Sequence, residues 1–142
     1  MKVFFDTNVI IDAITSRDYN YRDSQLLVIK AARKEIIGYI SAKQITDIYY
    51  ILRKYVSDES KRRIVVKQLC DTFEILPLLP ADISYCINSE ISDYEDAIID
   101  EAAKVYCIPY IVTHDIKHFK NASTLVMSPH DLLNFIETND LA

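Results

Sequence analysis

The chain has 142 residues, a length typical of one domain with one continuous core, and we expect residues 1–142 to fold as a single domain. Half of the residues are hydrophobic and 26% are charged, a composition that excludes disordered and fibrous proteins. The formal net charge of -5 gives no support to nucleic-acid binding through bulk positive charge.

The first third of the chain predicts two strands, each followed by helical sequence. The elements are a strand at 3–5, a helix over 9–14, a helix over 21–34 and a strand at 38–40. The first strand ends at Asp6. Ser41 is expected to cap a third helix, whose apolar stripe leaves Asp47 on a different face.

The remaining sequence continues the alternation of helices and strands. Asp58 or Ser60 caps a fourth helix, and Asp93 is expected to cap the helix before a strand that leads to Asp115. The further elements are a strand at 73–76, a helix over 81–88, a helix over 93–105, strands at 110–113 and 124–127, and a last helix after Ser128. This order predicts an α/β protein with three layers, in which helices cover both faces of a mostly parallel sheet.

The lack of a recognisable targeting signal and the pattern of cysteines indicate a cytoplasmic protein. Three apolar residues before Asp6 are too few for the core of a signal peptide, and no apolar run is long enough to span a membrane. The cysteines lack the spacing of a zinc site or a disulfide framework. Cys70 and Cys107 lie in apolar stretches, so we expect them in the core of a protein from a reducing compartment.

Charged residues are unevenly distributed along the chain. Acidic residues concentrate between 82 and 101, whereas basic residues form three clusters, at 30–34, 53–54 and 61–67. This distribution permits a basic rim around an acidic centre, although a solvated helix face is the favoured explanation for any single basic cluster. A sequence with one glycine excludes a glycine-rich phosphate loop.

The acidic residues themselves suggest a metal site. Asp6 and Asp115 each follow a strand, and ligands of open α/β sheets bind outside the carboxyl ends of the strands. Asp93, Asp96 and Asp100 are expected to project from one helix face because of their spacing. Asp96 is a poor candidate for a helix cap, since it lies one turn into a helix among apolar neighbours. The joint occurrence of Asp6, Asp96 and Asp115 therefore favours a bound cation.

At this point the sequence resembles a known family, the PIN-domain nucleases, which include the toxin ribonucleases of bacterial VapBC toxin-antitoxin pairs. The resemblance covers nearly the whole chain. It lies in the segments FDTNVI at 5–10, DYEDA at 93–97 and IVTHD at 111–115 together with Phe119, in this order and at these separations.

The resemblance implies a function and a set of site residues. Asp6, Asp47, Asp96 and Asp115 would gather one or two Mg²⁺ or Mn²⁺ ions for the cleavage of RNA, with Asn8, Thr113 and Asp93 in supporting positions. Many relatives carry Glu at the position of Asp47, so the shorter Asp47 is expected to reach the metal through water. Further implied features are a small antitoxin partner and a homodimer.

Two alternatives remain open. With Asp47 in place of Glu, the chain is alternatively a catalytically weak module that binds RNA or a protein partner. An Asp-nucleophile phosphatase would need a second Asp where Asn8 stands, and a receiver domain would need an acid near Leu76. Two further groups of side chains each have two interpretations. Four basic residues after the fourth strand contact phosphate or lie in an exposed turn: His114, Lys117, His118 and Lys120. Five tyrosines stack on bases or pack in the core: Tyr49, Tyr50, Tyr55, Tyr94 and Tyr106, of which we expect Tyr49 and Tyr106 in the core.

Overall fold

The structure is a computed structural model, and it describes residues 1–18 and 20–140. Its strands are β1 (Lys2–Phe5), β2 (Ile37–Ser41), β3 (Glu74–Leu76), β4 (Tyr110–Val112) and β5 (Leu125–Met127). Its α-helices are α1 (Thr7–Thr15), α2 (Tyr21–Ala32), α3 (Ala42–Leu52), α4 (Glu59–Thr72), α5 (Pro80–Tyr85), α6 (Tyr94–Val105) and α7 (Pro129–Asp140). Short 3₁₀ helices cover Cys86–Asn88 and Ile116–Phe119.

The five strands form one parallel sheet in the order β3-β2-β1-β4-β5. The chain builds the sheet outward from β1 to β3 and then returns to the other side of β1 with β4. The strand order therefore reverses between β1 and β4, and this is the position at which open α/β sheets bind ligands. The predicted fold class is confirmed, since helices cover both faces of a parallel sheet.

Strand β1 lies at the centre of the sheet and connects two parts of the core. Alternate side chains of a strand point to opposite faces, so Val3 and Phe5 pack with the helices of one face, including α1 and α2. Phe4 packs on the other face against Ile99 of α6 and Ile111 of β4. Because Val3, Phe4 and Phe5 are inaccessible to solvent, the end of this strand is held rigidly in place.

Three predicted helix caps are present in the structure. Ser41 caps α3 and forms a capping box with Gln44. Asp58, rather than Ser60, caps α4 by accepting a hydrogen bond from the amide of Ser60. The side chain of Asp93 caps α6, which is also the helix that carries Asp96.

Several expectations about burial were wrong. Cys70 and Cys107 are exposed, whereas Cys86 is buried. Cys70 follows Leu69, a buried residue of α4, and is turned away from the core by the helical rotation of one residue. Cys107 lies in the turn after α6 with a φ of 52°, and its neighbour Tyr106 is exposed. Tyr49, which was also expected in the core, is only half-buried.

Neither residues 1–18 nor residues 20–140 contain a helix long and apolar enough to cross a membrane.

Candidate active site

Asp6 links the end of β1 to the start of α1. Its Oδ1 accepts a hydrogen bond of 2.7 Å from the amide of Thr7 as the cap of α1. Its Oδ2 accepts a second bond of 2.7 Å from the hydroxyl of Thr113, which lies just beyond β4. Burial raises the pKa of Asp6, since these two hydrogen bonds only partly offset the loss of hydration, and the charges of Asp115 and Asp93 raise it further.

Asn8 connects the two aspartates that follow β1 and β4. Its Nδ2 lies 3.2 Å from Oδ2 of Asp6 and 3.0 Å from Oδ2 of Asp115. Its Oδ1 accepts a bond of 3.3 Å from the amide of His114. The Asn8 amide donates to both carboxylates and holds Asp6 and Asp115 close together despite their mutual repulsion, so the two acids meet as the sequence predicted.

Asp96 faces this pair from α6. It is buried, and the amide of Asp96 donates to the capping carboxylate of Asp93 over 3.2 Å. Burial together with the charges of Asp6 and Asp93 raises the pKa of Asp96 to about 7. His118 Nδ1, 3.6 Å from Oδ2 of Asp96, acts in the opposite direction. A carboxyl group with such a pKa marks a site where negative charges are concentrated.

A cleft with a volume of about 260 Å³ contains Asp6, Asp96 and one face of α3. Asp47 and Lys43 lie in this cleft one helical turn apart, and Lys43 Nζ is 2.6 Å from Oδ2 of Asp47. Lys43 Nζ also lies 3.2 Å from Glu95 Oε1, so it bridges α3 and α6. The pKa of Lys43 is raised, because these two carboxylates outweigh the effect of burial on its charge. Our sequence analysis missed Lys43, although its i,i+4 spacing to Asp47 is a visible signal.

A second cavity of about 280 Å³ lies beside Asp115 and is lined by Asn8, Asp12, Arg17, Asp18 and His114. Asp12 is buried and accepts a bond of 2.6 Å from Arg17 Nε. Its other oxygen is 3.2 Å from His114 Nε2, which also contacts the hydroxyl of Ser24 at 2.9 Å. Sequence analysis missed Asp12 as well. The signal was the single acid of α1, which lies among apolar neighbours four residues after Asn8.

Some predicted groups have other roles. Asp100, which was expected on the same helix face as Asp96, does not join Asp96 in the cleft. Its carboxylate accepts bonds from the amides of Ser123 and Thr124 and from the Ser123 hydroxyl, each at 3.0 Å, and so holds the loop before β5. The basic rim is also reduced, because Arg62 is buried and donates to the carbonyl oxygens of Val56 and Ser57.

The carboxylates in and beside the cleft fit a hard divalent cation. Asp6 and Asp96 line the cleft, and Asp115 lies next to Asp6 through their shared contact with Asn8. All three supply carboxylate oxygens, the ligands that Mg²⁺ and Mn²⁺ prefer. Asp6 and Asp115 both raise the pKa of Asp96, so a cation would relieve an existing repulsion. Within residues 1–18 and 20–140, no three Asp, Glu, His or Cys side chains are arranged so that they could hold a metal ion. The fit to a cation therefore rests on the chemistry of these carboxylates and on their mutual repulsion.

Comparisons with known proteins identify a matching domain family and a related protein. The model of the PIN domain family matches residues 2–117. The chain is 31% identical over 121 residues to Ribonuclease VapC1 of Aquifex aeolicus (strain VF5), an alignment that covers 80% of this chain and 81% of that protein.

Solved structures share the fold at low sequence identity. VapBC2 from Rickettsia felis, solved with a DNA fragment from their promoter, matches with a TM-score of 0.66 and 19% identity, over 90% of this chain and 98% of the other. A toxin-antitoxin complex from Klebsiella pneumoniae gives a TM-score of 0.62 and 22% identity, over 89% and 97%. FitAcB from Neisseria gonorrhoeae gives 0.62 and 19%, over 90% and 98%.

Proposed function

Because this chain belongs to the PIN domain family, we propose that it is a ribonuclease that hydrolyses phosphodiester bonds of RNA with the help of Mg²⁺ or Mn²⁺. One observation carries the proposal. Asp6 and Asp96, 90 positions apart in the sequence, line the same cleft, and the charge of Asp6 raises the pKa of Asp96. Carboxylates gathered at such a cost in repulsion are typical of sites that act through a cation. The related Ribonuclease VapC1 supports RNA as the substrate.

Asp6, Asp96 and Asp115 would hold the cation directly, and Asp47 would reach it through water. When bound, the cation neutralises the phosphodiester and lowers the pKa of a water molecule that attacks phosphorus. Thr113 and Asn8 hold the carboxylates of Asp6 and Asp115 in position through their hydrogen bonds. The chain needs no histidine or lysine as a general base in this scheme.

The decisive experiment measures RNA cleavage by the purified protein in Mn²⁺ and in EDTA. We expect cleavage in Mn²⁺ alone, and Asp96→Asn should lose nearly all activity while its fold is unchanged. Asp71→Asn is the matched control, because this exposed residue pairs with Lys67 on α4 outside the cleft. Equal activity of wild type and Asp96→Asn would refute the proposed site. Cleavage that persists in EDTA would refute the dependence on a cation.

We further propose a small antitoxin partner, a homodimer and a location in the cytoplasm. The related solved structures include toxin-antitoxin complexes, which supports the first point. The three free cysteines suit a reducing compartment. Expression of this chain alone should arrest bacterial growth, and co-expression of an adjacent small gene should restore it. Light scattering that reports only monomers would exclude the homodimer.

The ion pair between Lys43 and Asp47 favours a second candidate function. An Asp47 carboxylate bound to Lys43 at 2.6 Å is less available to a cation, and the chain would then be a catalytically weak module that binds RNA or a partner. Binding of RNA that is unaffected by Mn²⁺, with no cleavage, would favour this alternative. An Asp-nucleophile phosphatase is disfavoured, since Asn8 bonds to Asp6 at the position where that chemistry needs an acid.

A further inference from the structure

Tyr50 lies in the same cleft as the candidate catalytic aspartates. Lys43, Asp47 and Tyr50 follow one another at intervals of four and three residues, so they share the face of α3 that lines the cleft with Asp6 and Asp96. Tyr50 is 67% exposed, the second-highest fraction among the large hydrophobic residues of the described chain. An aromatic ring of this exposure adds little to the core, and its position in the cleft remains to be explained.

Arg53 occupies one side of the Tyr50 ring. Its Cζ lies 5.4 Å from the ring centroid, within the distance of about 6 Å at which a guanidinium group attracts an aromatic face. The guanidinium group of Arg53 on one face restrains the Tyr50 ring. The rest of the ring surface is left available to a planar group such as a base. Arginine also stacks with bases and bonds to phosphates, so both side chains of this pair suit a nucleotide.

A second pair of this kind shows which feature matters. Tyr85 is 64% exposed and carries Lys104 at 5.6 Å from its ring centroid. That pair lines a different cavity, which contains Asp100 and Ser123 and does not include Asp6 or Asp96. The position of Tyr50 beside Asp6 and Asp96, and not the aromatic-cation pair or an acidic lining as such, therefore distinguishes the two. Tyr85 supplies a matched control.

The charge of the cleft favours recognition through a base. Asp6, Asp47, Glu95 and Asp96 line it beside a single lysine, so a phosphate chain gains little attraction there before a cation binds. Stacking of a base on an aromatic ring does not depend on net charge. The volume of about 260 Å³ lies just below the usual range of small-molecule pockets, roughly 300–1,000 Å³, and suits one nucleotide better than a larger ligand.

We propose that Tyr50, restrained by Arg53, is a stacking platform for one unpaired base of the RNA substrate, next to the phosphodiester presented to Asp6 and Asp96. This inference rests on the proposed ribonuclease function and specifies its substrate class. An unpaired base held on such a platform is turned out of its helix, so the RNA is single-stranded where it meets Tyr50.

The test uses the full chain with Asp96→Asn as an inactive background. The probe is a short single-stranded oligoribonucleotide that carries one 2-aminopurine, whose fluorescence is quenched when it stacks, moved along the strand from one oligonucleotide to the next. One position should be quenched with Tyr50 and with Tyr50→Phe, which keeps the ring. Tyr50→Leu should abolish that quenching and weaken binding about tenfold, whereas Tyr85→Leu should change neither.

Salt dependence separates stacking from charge or misfolding. Tyr50→Leu removes no charge, so the slope of binding against salt concentration should equal that of the background protein while affinity falls. In the active protein, the same variant should raise KM for single-stranded RNA.

If wild type cleaves RNA and Tyr50→Leu binds and cleaves equally well, the stacking platform is refuted and the ribonuclease function stands. If wild type neither binds nor cleaves RNA, both proposals fail. A loss in Tyr85→Leu equal to that in Tyr50→Leu would also refute the platform.

Discussion

The side-chain amide of Asn8 lies 3.0 Å from the carboxylate of Asp115, a residue 107 positions later in the chain. The same Nδ2 atom is 3.2 Å from Asp6. Helix α1 and the segment after β4 are thus joined at the point where the strand order of the sheet reverses. One neutral side chain holds two carboxylates that would otherwise repel each other.

Replacement of Asn8 by alanine should therefore separate Asp6 from Asp115. We expect Asn8→Ala to reduce Mn²⁺ affinity and RNA cleavage by about 10- to 100-fold, the usual effect of removing a partner of a metal ligand. Calorimetry and initial rates measure the two quantities. Asn88→Ala, an exposed asparagine of the 3₁₀ helix Cys86–Asn88, is the control. An Asn8→Ala protein with unchanged affinity would show that the amide only fills space.

The raised pKa of Asp96 makes stability depend on pH. The ordinary value is 3.8, and burial together with Asp6 and Asp93 raises it to about 7 in the folded protein. The folded state therefore holds the proton more tightly than the unfolded state, and stability falls as pH rises from 3.8 to about 7. Asp96→Asn, which stays neutral, should lack this loss.

Denaturant midpoints in EDTA at about pH 5 and about pH 8 measure the effect. Asp96→Asn should be more stable than wild type at the higher pH, and the difference should shrink at the lower pH. Asp71→Asn, an exposed loss of charge on α4, should show no such pattern. If wild type and Asp96→Asn respond identically to pH, the carboxyl of Asp96 titrates in its ordinary range.

The role of Asp47 can be tested by changing the length of its side chain. Asp47 pairs with Lys43 at 2.6 Å and is partly exposed. Asp47→Glu adds one methylene group and should give equal or higher cleavage activity if the carboxylate acts on the cation. Asp47→Ala should lower activity. An Asp47→Ala protein with full activity would assign Asp47 to its ion pair with Lys43 alone.

The products of cleavage report the chemistry. If water attacks phosphorus in line and the 3′ oxygen leaves, the downstream fragment carries a 5′ phosphate and no 2′-hydroxyl takes part. The downstream fragment should therefore be ligated without prior phosphorylation, and Asp6→Ala should yield almost none of it. A cyclic phosphate on the upstream fragment would instead indicate attack by the 2′-hydroxyl and exclude this mechanism.

Local sequence patterns were sufficient to predict most of the fold. The apolar run before Asp6 and the capping residues Ser41 and Asp93 specify element ends through short-range chemistry, and the structure confirms them. The convergence of Asp6 and Asp115 also followed from sequence. Residues that end parallel strands meet at one edge of a sheet, whatever the length of chain between them.

Other features depended on where a helix lies on the sheet. Asp96 and Asp100 are one turn apart in α6, yet the first faces Asp6 and the second binds the loop at Ser123. Helical spacing gives the angle between two side chains but not the surface that each one meets. The contact of Asp12 with His114 likewise joins segments that no local pattern relates. Sequence alone therefore determined the elements and the acids that end them, whereas the neighbours of each helix face were decided by tertiary packing, since they depend on how the elements are oriented on the sheet.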